Sequence, residues 1–158
     1  MPDARTLLRH TIATLAYRGG KTLRDAPDGF GDFQSGETTR TPLQILTHMG
    51  DLMMWVLSQA SGSETWDDAT PGTWDQEVDR FFRELAALDD YLGSAEPLAQ
   101  PEGRLFQGAI ADALTHVGQI AMLRRLAGSP VRGENYSRAD IQVGRVGPEQ
   151  TEAKREFD

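Results

Sequence analysis

The sequence predicts an all-α protein: a four-helix bundle with a long connection between its first two helices and an irregular C-terminal tail ending in a short helix. Three observations predict it. Four segments repeat apolar residues at the three- and four-residue spacing of one helix face. Two of these segments open with a Thr-x-x-Gln capping pattern. No segment alternates strongly enough to compete as a strand. The 158 residues, 39% of them hydrophobic, fit one domain spanning 1–158, with 131–158 packing on the bundle as a tail. A chain of this length can bury roughly 70% of its unfolded surface, enough for a core without staples.

The first helix is expected from Ala4 to Arg18, where Leu7, Leu8, Ile12 and Leu15 recur at helical spacing. Gly19 and Gly20 should break or end it. Residues 25–40 are rich in Asp, Gly, Pro, Ser and Thr and read as a loop, longer than most connections in compact domains. The second helix starts at Thr41, with Pro42 in the first helical position and Gln44 closing a capping box. Ile45, Met49, Leu52, Met53 and Val56 form its apolar face, which fades at Ser58 before Ser61-Gly62-Ser63. The third opens on Thr73 and Gln76, with Asp75 and Glu77 where the helix dipole favours negative charge. Val78, Phe81, Phe82, Leu85 and Leu88 are its stripe, and Gly93 its stop. The fourth spans Arg104 to Ala127 and is ended by Gly128-Ser129-Pro130. Its small residues, among them Gly108, Ala111 and Gly118, suggest close helix approach or room for a ligand, because glycine inside a helix costs about 1 kcal/mol relative to alanine. In the tail, Pro148 can open a short polar helix over residues 149–156.

Composition excludes several functions. The chain has no cysteine, so disulfides, thiolate metal sites and a cysteine nucleophile are ruled out. A net charge of −8 argues against nucleic-acid partners and against anionic membranes, and favours a soluble chain. No stretch approaches the ~20 apolar residues of a membrane span. The opening residues show no basic region followed by an apolar signal core, so the expected location is cytoplasmic.

The candidate chemistry lies with three histidines, His10, His48 and His116. Asp112 and His116 stand four residues apart, one turn apart on one helix face. They share a stripe with Leu105, Gly108, Gln119 and Leu123 that should face the interior. A carboxylate and an imidazole buried there need a partner, and a metal ion satisfies both. The blander alternative is a helical ion pair or two solvated side chains. His48 lies among Ile45, Met49 and Leu52, where a hydrogen-bonded core histidine is the alternative. His10 has no partner in sequence. Asp51, one turn beyond His48, and Gln119, near His116, are candidates to orient an imidazole; surface exposure is the other reading of Asp51. In the tail, Tyr136, Asp140 and Arg145 either fold over the metal or pin the tail to the bundle, and pinning is favoured. Trp55, Trp66 and Trp74 line a pocket or, more commonly for aromatics, serve the core.

The segment Thr-Pro-Leu-Gln-Ile-Leu-Thr-His-Met-Gly-Asp (41–51) resembles the first metal-histidine segment of DinB-like proteins. Asp-Ala-Leu-Thr-His-Val-Gly-Gln-Ile (112–120) resembles that family's second segment, commonly His-x-x-x-His followed by Gly-Gln-Ile. Residues 134–150 resemble a C-terminal segment of a subset of its members. The resemblance implies a bundle holding one divalent ion, with His48 from the second helix and Asp112 and His116 from the fourth as ligands. Asp112 departs from the commonest pattern, which has histidine there; some members, including the mycothiol-dependent maleylpyruvate isomerase type, carry a carboxylate. Two imidazoles and a carboxylate suit zinc or nickel first, and also iron or manganese. The resemblance further implies a homodimer acting on a small molecule, as a metal-dependent S-transferase using a low-molecular-weight thiol such as bacillithiol, mycothiol or glutathione. The alternatives are a metal-dependent hydrolase, with Asp51 or Glu134 as base, and a non-catalytic metal-binding or stress-response module.

Overall fold

A computed structural model of the chain describes residues 3–157. Its rods are α1 (Ala4–Leu23), α2 (Pro42–Ser61), α3 (Trp74–Gly93) and a fourth built in three pieces. Those pieces are α4 (Glu102–Leu105), a π turn over Phe106–Ile110, and α5 (Ala111–Leu126). α1 and α2 each pack against both α3 and α5. They therefore stand diagonally in the bundle, and the long connection between them crosses it, with a 3₁₀ turn at Phe30–Asp32 that buries Phe30. Ile12, Leu15, Leu46, Met49, Phe81, Leu85, Leu105 and Ile120 are fully buried along the shared axis. Each such side chain contributes about 1.5–3 kcal/mol of transfer free energy.

The helix starts follow from local chemistry. Thr41 and Thr73 each accept from the backbone N–H of Gln44 and Gln76, whose side chains return the bond to the cap residue. The end of α1 departs from expectation: the helix runs through Gly19 and Gly20 to Leu23. A Cβ at Gly19 would stand 3.3 Å from the Phe81 ring and 3.6 Å from Val117. The glycine thus lets α1 approach α3 and α5 closely, and the packing outweighs its helix cost of about 1 kcal/mol. Arg124 of α5 then satisfies the helix end, donating to the carbonyls of Thr22, Arg24 and Asp25. Gly93 is the last residue of α3, and a Cβ there would meet the Arg9 guanidinium at 3.0 Å. That guanidinium makes a two-bond pair with Asp89.

The glycines of the fourth rod do not serve close approach, since a Cβ at Gly108 or Gly118 would meet nothing within 4 Å. Gly108 instead sits in the π turn with ψ −108°, outside helical geometry, and kinks the rod just before Asp112. Nothing in the structure requires glycine at 118.

The tail also differs. Residues 149–155 are not helical, and the chain ends with β2 (Glu156–Phe157) paired antiparallel to β1 (Gly133–Glu134). A short polar segment with no apolar face cannot recover the cost of helix nucleation. Fixed contacts on either side of it anchor the tail. The side chain of Glu134, wholly buried, accepts from the Tyr17 hydroxyl at 2.7 Å and from Lys21 Nζ at 2.8 Å. Lys21 also reaches Glu156 at 3.4 Å, and Val146 joins the core. No helix among the described residues is long and apolar enough to cross a membrane.

Candidate metal centre

α2 and α5 are neighbours in the bundle, which brings His48 opposite the Asp112/His116 pair. The three residues form a group that can hold one metal ion, their ligand atoms all within 4.8 Å of one another. Asp112 stands between the imidazoles: Oδ2 is 3.5 Å from His48 Nε2, and Oδ1 is 3.4 Å from His116 Nε2. The rings meet edge to face, centroids 5.0 Å apart. These N···O separations exceed the usual hydrogen-bond range of about 2.7–3.2 Å. A different carboxylate oxygen faces each ring, and neighbouring donors around a tetrahedral ion stand about 3.4 Å apart for metal–ligand bonds of about 2.1 Å. The donor set is therefore close enough together to hold one metal ion. Its exposure grades outward, with side chains 10% exposed at His116, 22% at His48 and 47% at Asp112. Solvent or a small ligand can reach it.

Gln119, one turn beyond His116, contacts its ring. Its amide oxygen lies 2.7 Å from His116 Nδ1, where it accepts from an Nδ1–H and leaves Nε2 facing Asp112. His48 is held below its ordinary imidazole range, first by burial, then by the nearby charges of His116 and Arg40, against the opposing pull of Asp112. A neutral imidazole is the form a metal requires.

Asp51 lies elsewhere in function. It is buried, and its carboxylate pairs with Arg80 Nη1 at 2.9 Å and accepts from the Ala69 N–H, rather than bonding His48. Arg80 also binds Glu77 at 2.8 Å and the Thr47 carbonyl at 2.6 Å. A Cβ at Gly50 would meet this guanidinium at 2.8 Å, so Gly50 makes the space for it. The clamp ties α3 to the turn of α2 that carries His48. Burial pushes the Asp51 carboxyl up, and Arg80 opposes the shift.

Tyr136 is likewise away from the donors. It packs edge to face on Tyr17, under the Arg18 guanidinium, and pins the tail to α1. Asp140 and Arg145 bond each other within the tail. His10 is exposed on α1. Of the tryptophans, Trp66 contacts the His48 ring edge on and Trp55 backs Trp66, whereas Trp74 packs against Phe30.

Sequence reasoning missed two features. Arg40, just before the Thr41 cap, lines the clefts on both the His116 and His48 sides; nothing in its local pattern marked it. The Tyr17–Glu134–Lys21 cluster carried one weak signal, the four-residue spacing of Tyr17 and Lys21 on a helix.

Fold and site together define a helical-bundle protein with a His/Asp/His group able to hold a metal ion. No family model matches the chain, and no curated protein or solved structure compared with it does.

Proposed function

We propose that this chain is a DinB-like metalloprotein that binds one divalent ion through His48, Asp112 and His116 and joins a low-molecular-weight thiol to an electrophile. The observation that carries the reading is the convergence of two imidazoles and one carboxylate, their ligand atoms within 4.8 Å of one another, between α2 and α5. Three protein donors leave coordination positions open, the arrangement of catalytic rather than structural sites. The order of the donors, one from the second helix and two from the fourth, supports the family assignment. Zinc or nickel is the proposed ion, with iron or manganese compatible with the same donors.

A divalent ion bound there supplies Lewis acidity, which lowers the pKa of a thiol in an open position. The chain's own residues do the rest. Gln119 fixes the His116 tautomer. The Arg80 clamp holds the turn bearing His48. Trp66 packs edge on against the His48 ring. The thiol proton leaves to solvent, a carbon–sulfur bond forms, and the leaving group departs with its electron pair.

Hydrolysis is less well supported, because it needs a free base beside the site. Asp51 is engaged by Arg80, and Glu134 by Tyr17 and Lys21. The reading includes a homodimer, supported by the apolar surface that Leu7 and Phe106 expose; its test is a gel-filtration mass near twice 17.4 kDa.

The test of function is incubation of metal-loaded protein with a chromogenic aryl halide and each thiol in turn, with adducts read by mass spectrometry. Thiol- and metal-dependent adduct is expected. Thiol-independent hydrolysis would assign a hydrolase, and no product with any thiol would assign a metal-binding module.

A further inference from the structure

We infer that the cleft beside His116 takes an amphiphilic carboxylate as the electrophile: a short hydrocarbon body lying on α5 with its anionic end held by Arg40. The inference rests on the metal-centred reading above, whose substrate class it names. The cleft has a volume of about 480 Å³, within the about 300–1,000 Å³ of small-molecule sites. Its walls are mainly apolar, with Ile45 on one side and Met122 and Leu126 on the other. Met122 and Leu126 are 57% and 59% exposed, so a hydrocarbon chain laid there buries surface that is otherwise in water.

The electrostatics select the other end. The chain carries 24 acidic and 16 basic side chains, yet among the described residues no acidic one lines this cleft and one guanidinium does. Arg40 is exposed, and it forms no hydrogen bond or ion pair with any described residue. A guanidinium presents two parallel N–H donors that match the two oxygens of a carboxylate. A phosphate dianion would draw on further donors, and the Ser35 and Thr39 hydroxyls are already bonded to each other and to Gly36 O. Arg40 also lines the neighbouring cleft that holds His48. A carboxylate anchored on it therefore directs the hydrocarbon along α5, past His116.

Calorimetric titration of hexanoate, hexanol and inorganic phosphate into metal-free and zinc-loaded protein tests the assignment. Wild type should bind hexanoate more tightly than hexanol or phosphate. Arg40→Gln should weaken hexanoate by about tenfold or more, the effect of one charge-assisted pair, and leave hexanol and the melting temperature unchanged. Met122→Asp should weaken hexanoate and hexanol alike. Equal hexanoate binding by Arg40→Gln and wild type would overturn the inference, as would tighter binding of phosphate or no hexanoate binding at all. Arg40-independent binding seen only with zinc present would mean that the carboxylate goes to the metal, and would overturn it too. Failure of the metal reading registers separately, as absent zinc uptake with Arg40-dependent hexanoate binding intact.

Discussion

Replacing Asp112 with asparagine tests the metal centre with the least change of shape. The carboxylate oxygens face His48 Nε2 and His116 Nε2 at 3.5 and 3.4 Å, and asparagine keeps the volume while removing the charge. A ligand that binds only the folded state stabilises it by RT ln(1 + [L]/Kd), about 2.7 kcal/mol at a hundredfold excess over Kd. In a chain of this size 1 kcal/mol moves the melting midpoint by roughly 2–4 °C. Zinc at that excess should therefore raise Tm by about 5–11 °C. An outer partner of a metal ligand is worth about 10–100-fold in affinity, so a direct ligand should cost at least a hundredfold. At the same zinc concentration Asp112→Asn would then sit near its own Kd and gain about 0.4 kcal/mol, roughly 1–2 °C. The metal-free variant should melt within a few degrees of wild type, because the side chain is 47% exposed and surface changes usually stay within about 0.5 kcal/mol. Thermal-shift titrations of chelator-stripped protein with zinc and then nickel read all of this. A zinc-induced shift in Asp112→Asn equal to that of wild type would refute Asp112 as a ligand.

Three further outcomes are expected. Arg80→Ala strands Asp51 and Glu77, whose side chains are 5% and 7% exposed, and should cost about 3–5 kcal/mol in urea unfolding, as loss of one partner of a buried ion pair does; a cost under about 1 kcal/mol would contradict the clamp. Gln119→Leu removes the acceptor of His116 Nδ1 and should weaken zinc binding by about 10–100-fold with little change in stability; unchanged affinity by calorimetry would remove Gln119 from the site. The third concerns pH. The folded-state pKa of His48 lies below its ordinary value of 6.5, so its contribution to stability is present above about pH 6.5 and is lost as pH falls through the folded value. Metal-free wild type should lose stability relative to His48→Gln between about pH 7 and 5, and a relative gain on acidification would reverse the assignment.

What was legible in the sequence is what neighbours along the chain decide. The capping boxes at Thr41 and Thr73 need only residues three apart, and they start α2 and α3 as read. The Asp112/His116 pair was legible because helical spacing alone puts residues four apart on one face. Gly19 and Gly20 were misread because their local meaning is a break. The role of Gly19 depends on Phe81, some sixty positions away, and the helix end beyond it on Arg124, about a hundred away. Asp51 was ambiguous for the same reason, since its partner Arg80 belongs to another helix.

By itself, then, the sequence determined the helical class, the helix starts, and which residue types could meet a metal. A helix repeats a fixed geometry and needs only local bonds and one apolar face. The tertiary structure alone decided that α2 and α5 are adjacent, that Asp112 stands between two imidazoles, and that Arg40 overlooks the cleft beside them. It also turned the tail into a strand pair locked by Glu134. Those arrangements come from side chains far apart in sequence that are held together only by burial of the shared core, and no local pattern encodes which distant face a side chain will meet.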